Sequence, residues 1–255
     1  MSRAVLSYLI TALGTDILAA MNAGRTARER ARVELTREIT DEARRQLADK
    51  GTDGLSLRAV ARELGMVSSA LYRYFPSRDD LLTALILDAY QALGDAAESA
   101  DRAHSDAAPA RRWRAVCTAV RDWAVRHPHE YALIYGSPIP GYRAPQDTVA
   151  QAARVPLAVL GILRDAQAGG QLAAVPDRPP PGPVLADQLR ALTELVAVPL
   201  PAPVLTCALI AWTQLFGMIS FELFGQLVGS VDPSAEFFDN AVGRMAEFVG
   251  LPPES

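Results

Sequence analysis

Cysteine is almost missing: Cys117 and Cys207 are the only two in 255 residues. A disulfide scaffold is therefore excluded, and two thiols in apolar helical surroundings are expected to be buried as small hydrophobes in a reducing cytoplasm. Lysine is scarcer still, since Lys50 stands alone, so no Tyr-x-x-x-Lys or Ser-x-x-Lys catalytic pair can be assembled in the rest of the chain. There is no Gly-x-Ser-x-Gly elbow, no glycine-rich phosphate loop and no His-Glu-x-x-His, which removes the commonest hydrolase, nucleotide and zinc-protease chemistries. Of three histidines, His127 and His129 lack further partners at ligand spacing, so neither a metal nor another cofactor is expected. No stretch alternates with a period of two and no repeat recurs. The fold class is all-α.

Long hydrophobic runs are few as well. Ala4–Leu13 is broken by Ser7 and Thr11 and followed by Gly14 and Asp16, a poor signal peptide. Residues 1–24 are expected to form an N-terminal extension, either an extra amphipathic helix or an upstream start with Met21 as the alternative initiator. The run from Val204 to Val228 carries Gln214, Met218, Glu222 and Gln226 at four-residue spacing. Such a row suits a buried bundle or subunit interface better than lipid, so no membrane association is expected.

What is present is concentrated between residues 25 and 90. Leu35, Ile39, Ala43 and Leu47 recur every fourth position and predict a helix over Arg25–Lys50, closed by Gly51. Ser56 is an expected N-cap, with Leu55 and Val60 as a hydrophobic staple. Leu57, Val60, Ala61 and Leu64 stripe one face of a short helix that Gly65 stops. A second short helix follows, with Ala70, Leu71 and Phe75 facing inward. Its remaining side chains, Ser68, Ser69, Tyr72, Arg73 and Tyr74, are rich in hydrogen-bond donors. Two short helices around a glycine turn, the second so equipped, make a helix-turn-helix that lays its second helix in the DNA major groove. Charge agrees. Residues 22–80 hold slightly more basic than acidic side chains although the whole chain is −4, so the acidic excess lies elsewhere and a basic head is carried by an acidic body.

The segment from Leu57 to Gly65, followed by Ala70-Leu71-Tyr72-Arg73-Tyr74-Phe75-Pro76-Ser77-Arg78-Asp79-Asp80-Leu81-Leu82, resembles the TetR/AcrR family of bacterial regulators. The resemblance implies a three-helix head over residues 25–78, with residues 79–255 forming a larger helical effector-binding and dimerisation domain. It implies a homodimer, paired through the last two helices, that binds palindromic double-stranded operator DNA and releases it when a small, largely apolar effector enters the body. Tyr72 and Tyr74 would offer phenol groups to phosphates and ring faces to thymine methyls. Ser56, Arg58 and Arg78 would touch the backbone, and Arg25, Arg28 and Arg30 would reach the backbone or the minor groove as a flexible arm. Val67 departs from the family pattern, in which a capping serine or threonine is common. The cap then shifts to Ser68 or is lost, at about 0.5–2 kcal/mol.

Beyond the head, Ala97–Ala110 is polar and is expected to mark a junction. Trp113 to Ala124 predicts a helix stopped at His127-Pro128, and Pro156 is expected to kink or restart a helix over Val149–Ala168. The stretch His127–Gly136 with Pro138, Pro140, Gly141 and Tyr142 resembles the ligand domain of a TetR subgroup named for a Trp-His-Gly motif. Phe216 stands where that motif has its histidine, after Trp212 and before Gly217. Trp113, Trp123, Tyr131, Tyr135, Trp212 and Phe216 are the candidate walls of an apolar effector pocket. Two rival readings remain: an activator or nucleoid-type binder without a ligand, and a small helical hydrolase.

Overall fold

The computed structural model describes residues 3–173, 181–196 and 199–253, and gives only backbone for 3–25, 195 and 196. Among the described residues all regular structure is helical. The chain divides into two compact units, Met1–Leu81 and Leu82–Ser255.

In the first unit α1 (Arg3–Lys50) is one continuous helix, so the expected start at Arg25 is not a break. Nothing between Ala23 and Lys50 except Gly24 opposes helix, and the segment is dense in Ala, Arg and Glu, all good helix formers. Gly51 stops it at φ 68°. A single 3-10 turn (Thr52–Gly54) leads to α2 (Leu57–Glu63), and Gly65 at φ 64° reverses the chain into α3 (Ser68–Leu71). α2 packs on both α1 and α3. Ile39, Ala43, Leu47, Leu55, Leu57, Val60, Ala61 and Leu71 form the buried core. Neither Ser56 nor Val67 contributes a capping side chain, so the cap that Val67 displaces is lost rather than moved.

α4 (Arg78–Ala103) starts on a capping box: the Asp80 N–H donates to Ser77 Oγ at 3.1 Å. Asp80 Oδ2 takes the Ser77 hydroxyl at 2.6 Å, because aspartate is one methylene too short for the usual reach back to the backbone. The helix ends at Ala103, inside the polar stretch expected to be a junction, and the division between the units falls near its beginning instead.

In the second unit α5 (Pro109–Arg126) is the central element. It packs against α6 (Pro128–Tyr135), α8 (Arg154–Ala168), α10 (Ala202–Leu223) and α11 (Ala235–Phe248). Between these lie α7 (Thr148–Ala152) and α9 (Pro183–Val196). Pro128 ends α5 and opens α6, and Pro156 sits in the first turn of α8, where its missing N–H costs nothing. α10 stops at Leu223, short of the predicted Val228. Gly225 takes φ 76° and the Gln226 N–H closes back onto Phe221 O at 2.8 Å, a Schellman end. By length and composition α10 could cross a membrane, yet Leu205, Ala208, Ala211, Leu215 and Ile219 are buried in the body.

Three arginines tie this unit together. Arg112 joins Asp101 of α4 to Asp165 of α8. Arg154 joins α8 to Asp95 and Glu98. Arg121 grips Glu222 of α10 through two bonds, at 2.7 and 2.5 Å. Burial alone would raise the Glu222 carboxyl, but the Arg121 and Ser234 hydrogen bonds bring it below the usual glutamate value.

Candidate nucleic-acid interface and ligand site

Phe75-Pro76 limits the second helix of the motif, since a residue before proline avoids the α region. α3 is accordingly only Ser68–Leu71, and Tyr72, Arg73 and Tyr74 lie in the turn that follows it. That turn is tightened: Arg73 N–H bonds Ala70 O at 3.2 Å and Tyr74 N–H bonds Leu71 O at 2.8 Å, three residues back rather than four. Leu71 and Phe75 are buried beneath it. Val67, Ser68, Ser69, Tyr72 and Arg73 are exposed side by side, Val67 at 70% and Tyr72 at 41%. Tyr74 is half-buried, with the Arg32 guanidinium 5.6 Å from its ring centroid.

Other expected contacts fare differently. Arg58 is exposed on α2, and Ser56 is half-buried at its start. Arg28 and Arg30 are exposed, but on a helix rather than a flexible arm, and Arg30 Nε bonds Thr26 O one turn back. The Arg25 side chain lies outside the described residues. Arg78 is part-buried, its guanidinium donating to Leu55 O at 3.3 Å and Thr52 O at 2.5 Å. It pins the loop between α1 and α2, where Thr52 O also accepts the Leu55 N–H at 3.3 Å.

In the body, four of the six expected aromatics meet. Tyr131 and Tyr135 on α6 lie 5.1 Å apart, Tyr135 and Phe216 4.2 Å, and Trp212 and Phe216 6.2 Å. Tyr90 of α4 and Phe224 complete the group at 6.1 Å from Tyr135 and 6.4 Å from Tyr131. Neither is among the six aromatics expected to wall the pocket. Trp113 and Trp123 stand apart. Trp123 stacks on His127, and Trp113 lines a separate cleft of about 160 Å³ with Ala110, Arg114 and residues of α11. The Trp212 indole N–H is buried without an acceptor. Tyr131 donates to Phe216 O at 3.0 Å and meets Ser220 Oγ at 2.9 Å. Tyr142 meets Thr83 Oγ1 at 2.9 Å.

The phenols report an uncharged environment. Burial raises Tyr90, with Tyr142 adding to it, and burial raises Tyr135 further, with Tyr90 and Tyr131 adding to it. Burial pushes Tyr131 up to about 12, partly offset by its bond with Ser220. The fold therefore holds Tyr131 neutral. Its contribution is complete below the ordinary tyrosine value of 10.0 and is lost as pH climbs through about 12. Urea midpoints followed up the alkaline range should fall across that window, and Tyr131→Phe should flatten the fall. Among the described residues no three His, Cys, Asp or Glu side chains are grouped to hold a metal.

Comparison with known proteins covers both units. A family model described as bacterial regulatory proteins, tetR family, matches residues 39–85, and one described as tetracyclin repressor-like, C-terminal domain, matches residues 113–245. An HTH-type transcriptional regulator of Mycobacterium tuberculosis (strain ATCC 25618 / H37Rv) is 42% identical over 219 residues, spanning 82% of this chain and 90% of its own. The HTH-type transcriptional repressor DrrR1 of Streptomyces coeruleorubidus is 48% identical over 58 residues, 22% of this chain and 21% of its own. The solved structure of the regulatory protein SCO4313 superposes with a TM-score of 0.69 at 36% identity, over 86% of this chain and 98% of that one.

Proposed function

The chain belongs to the tetR family of bacterial regulatory proteins and is a DNA-binding transcriptional regulator; from that premise we propose that it is a homodimeric, cytoplasmic repressor of palindromic operators, released by a small and largely apolar effector. It acts by occupancy and not by catalysis. The observation that carries this is the exposed row Val67, Ser68, Ser69, Tyr72 and Arg73, held over buried Leu71 and Phe75. One such row reads too few base pairs to be selective, whereas a two-fold pair reads a palindrome. Arg58, Arg28, Arg30, Arg25 and Ser56 supply backbone contacts around it.

The pairing surface is the outer face of α10, where Thr206, Ile210, Thr213, Gly217 and Phe221 form one stripe, with Phe237 exposed on α11. Ile210 is 42% and Phe221 56% exposed, apolar surface that pairing would cover. The effector site is the group around Tyr131, Tyr135, Trp212 and Phe216. Its walls are aromatic, its phenols are neutral, and one indole donor is unused. Tyr90 brings α4 into that site, and α4 is the helix within which the two units join in sequence. An effector that lowers operator occupancy 100-fold requires about 2.7 kcal/mol of coupling between its site and the heads.

A mobility-shift titration on the DNA upstream of the chain's own reading frame tests this reading. Tyr72→Ala with Arg73→Ala should weaken binding by at least about 30-fold, each lost contact being worth about 1–3 kcal/mol. Binding as tight as wild type would remove the recognition row from the account.

A further inference from the structure

Arg32 differs from the arginines that follow it in α1. Arg37 and Arg44 lean on Asp41, and Arg45 reaches Glu42 at 2.7 Å. Arg32 is exposed and has no carboxylate partner among the described residues; what it has is the face of Tyr74, 5.6 Å from guanidinium to ring centroid. That distance is within cation–π range, and the planar guanidinium is the cation best suited to lie on a ring. The ring is itself held. Tyr74 is half-buried in the tightened turn after α3, its N–H on Leu71 O. A full positive charge is thus held on the ring face of a residue of the recognition turn, although it is carried by a helix far earlier in the chain. Arg28 and Arg30 before it are likewise exposed without a carboxylate partner among the described residues, whereas Arg37, Arg44 and Arg45 after it are paired. Arg28, one turn before it, continues the same row.

We infer that Arg32 contacts a DNA phosphate and that Tyr74 is its positioning residue, acting through the ring face and not through the phenol. The inference rests on the recognition row proposed above, and it replaces the expectation that Tyr74 itself touches DNA. A phosphate contact carries no sequence information, so its loss weakens every duplex alike and reduces the dependence on salt.

Fluorescence anisotropy should be recorded over a salt series on two labelled duplexes, the chain's own upstream DNA and one of mixed sequence. Arg32→Ala is expected to weaken both, with the slope of log Kd against log salt reduced by about 0.9 per head. Tyr74→Phe keeps the ring and should match wild type. Tyr74→Leu should reproduce Arg32→Ala, and the double variant should be no weaker than either alone. An unchanged slope in Arg32→Ala while Arg73→Ala reduces it overturns the inference and leaves the recognition row standing. Equal losses for Tyr74→Phe and Tyr74→Leu overturn it too, since the phenol would then be the contact. No loss in Arg73→Ala either would instead strike at the row itself. Should Tyr74→Leu fail to fold, the Arg32→Ala slope decides alone.

Discussion

Glutamate in place of Ile210 should separate the dimer into monomers and abolish operator binding with little change in helix content. Ile210 lies at the middle of the open α10 stripe, one to three turns from Thr206, Gly217 and Phe221, and nearly half of its surface faces solvent in the single chain. It therefore adds little to its own subunit's core, and the variant should fold. In an isologous interface α10 meets its own copy, so one substitution appears twice, close to the axis. Two carboxylates are then buried without cations and beside each other, each costing several kcal/mol. A total of at least about 4 kcal/mol weakens association about 1000-fold, which should leave the protein monomeric at micromolar concentration. Operator affinity falls with it, because each head loses the gain from being tethered to the other. Sedimentation velocity reads the first effect and anisotropy on upstream DNA the second, with Ile210→Leu as the control for bulk. A variant that still sediments as a dimer would move the interface away from α10.

How much of this was legible beforehand depended on whether the determinants were local. Gly51 and Gly65 announce their helix stops because a positive φ is a property of one residue, and Pro128 and Pro156 announce their boundaries for the same reason. The recognition row could be read because its anchors, Leu71 and Phe75, lie within the same few residues as the side chains they leave exposed. Arg78 shows where such reading fails. At a helix start an arginine suits a phosphate as well as it suits loop carbonyls, and only the tertiary approach of Thr52 and Leu55 chose between them. Tyr74 is a similar case, since its spacing says donor while the packing of a distant helix puts Arg32 on its ring. Among the aromatics, composition could count rings but not sort them. Trp113 went to the α11 side and Tyr90 joined the cluster, because helix packing rather than sequence proximity decides which rings meet. Glu42 and Gln46 are a further case: a solvated pair at i, i+4 is the default, yet they are buried together and bonded at 2.9 Å. α10 ended early although Gly225 was in plain view, since an apolar run outweighs one glycine in any pattern count but not in backbone geometry.

Leu71→Ala should cost the first unit about 2–5 kcal/mol, the usual range for emptying a fully buried leucine site. Leu71 has no exposed surface, and the helix it belongs to is four residues long. So short a helix has no stability of its own; it is held by what it packs against, and Leu71 is its one buried side chain, with Phe75 buried just beyond the turn that follows. The same residue is the acceptor for the Tyr74 and Phe75 N–H groups, at 2.8 and 3.1 Å. A cavity beneath it therefore loosens the very turn that presents Tyr72 and Arg73. Operator affinity should drop at least about 100-fold, an expected loss of about 2.7 kcal/mol in preorganisation, while Leu71→Met, which conserves volume, should stay within about 1.5 kcal/mol of wild type in stability. Hydrogen exchange supplies the discriminating measurement. In Leu71→Ala the amides of Tyr74 and Phe75 should lose protection, whereas in Tyr72→Ala, which removes a contact but no anchor, protection should persist although binding is weakened. Equal protection in the two variants would mean that the turn is fixed by something other than its buried leucine.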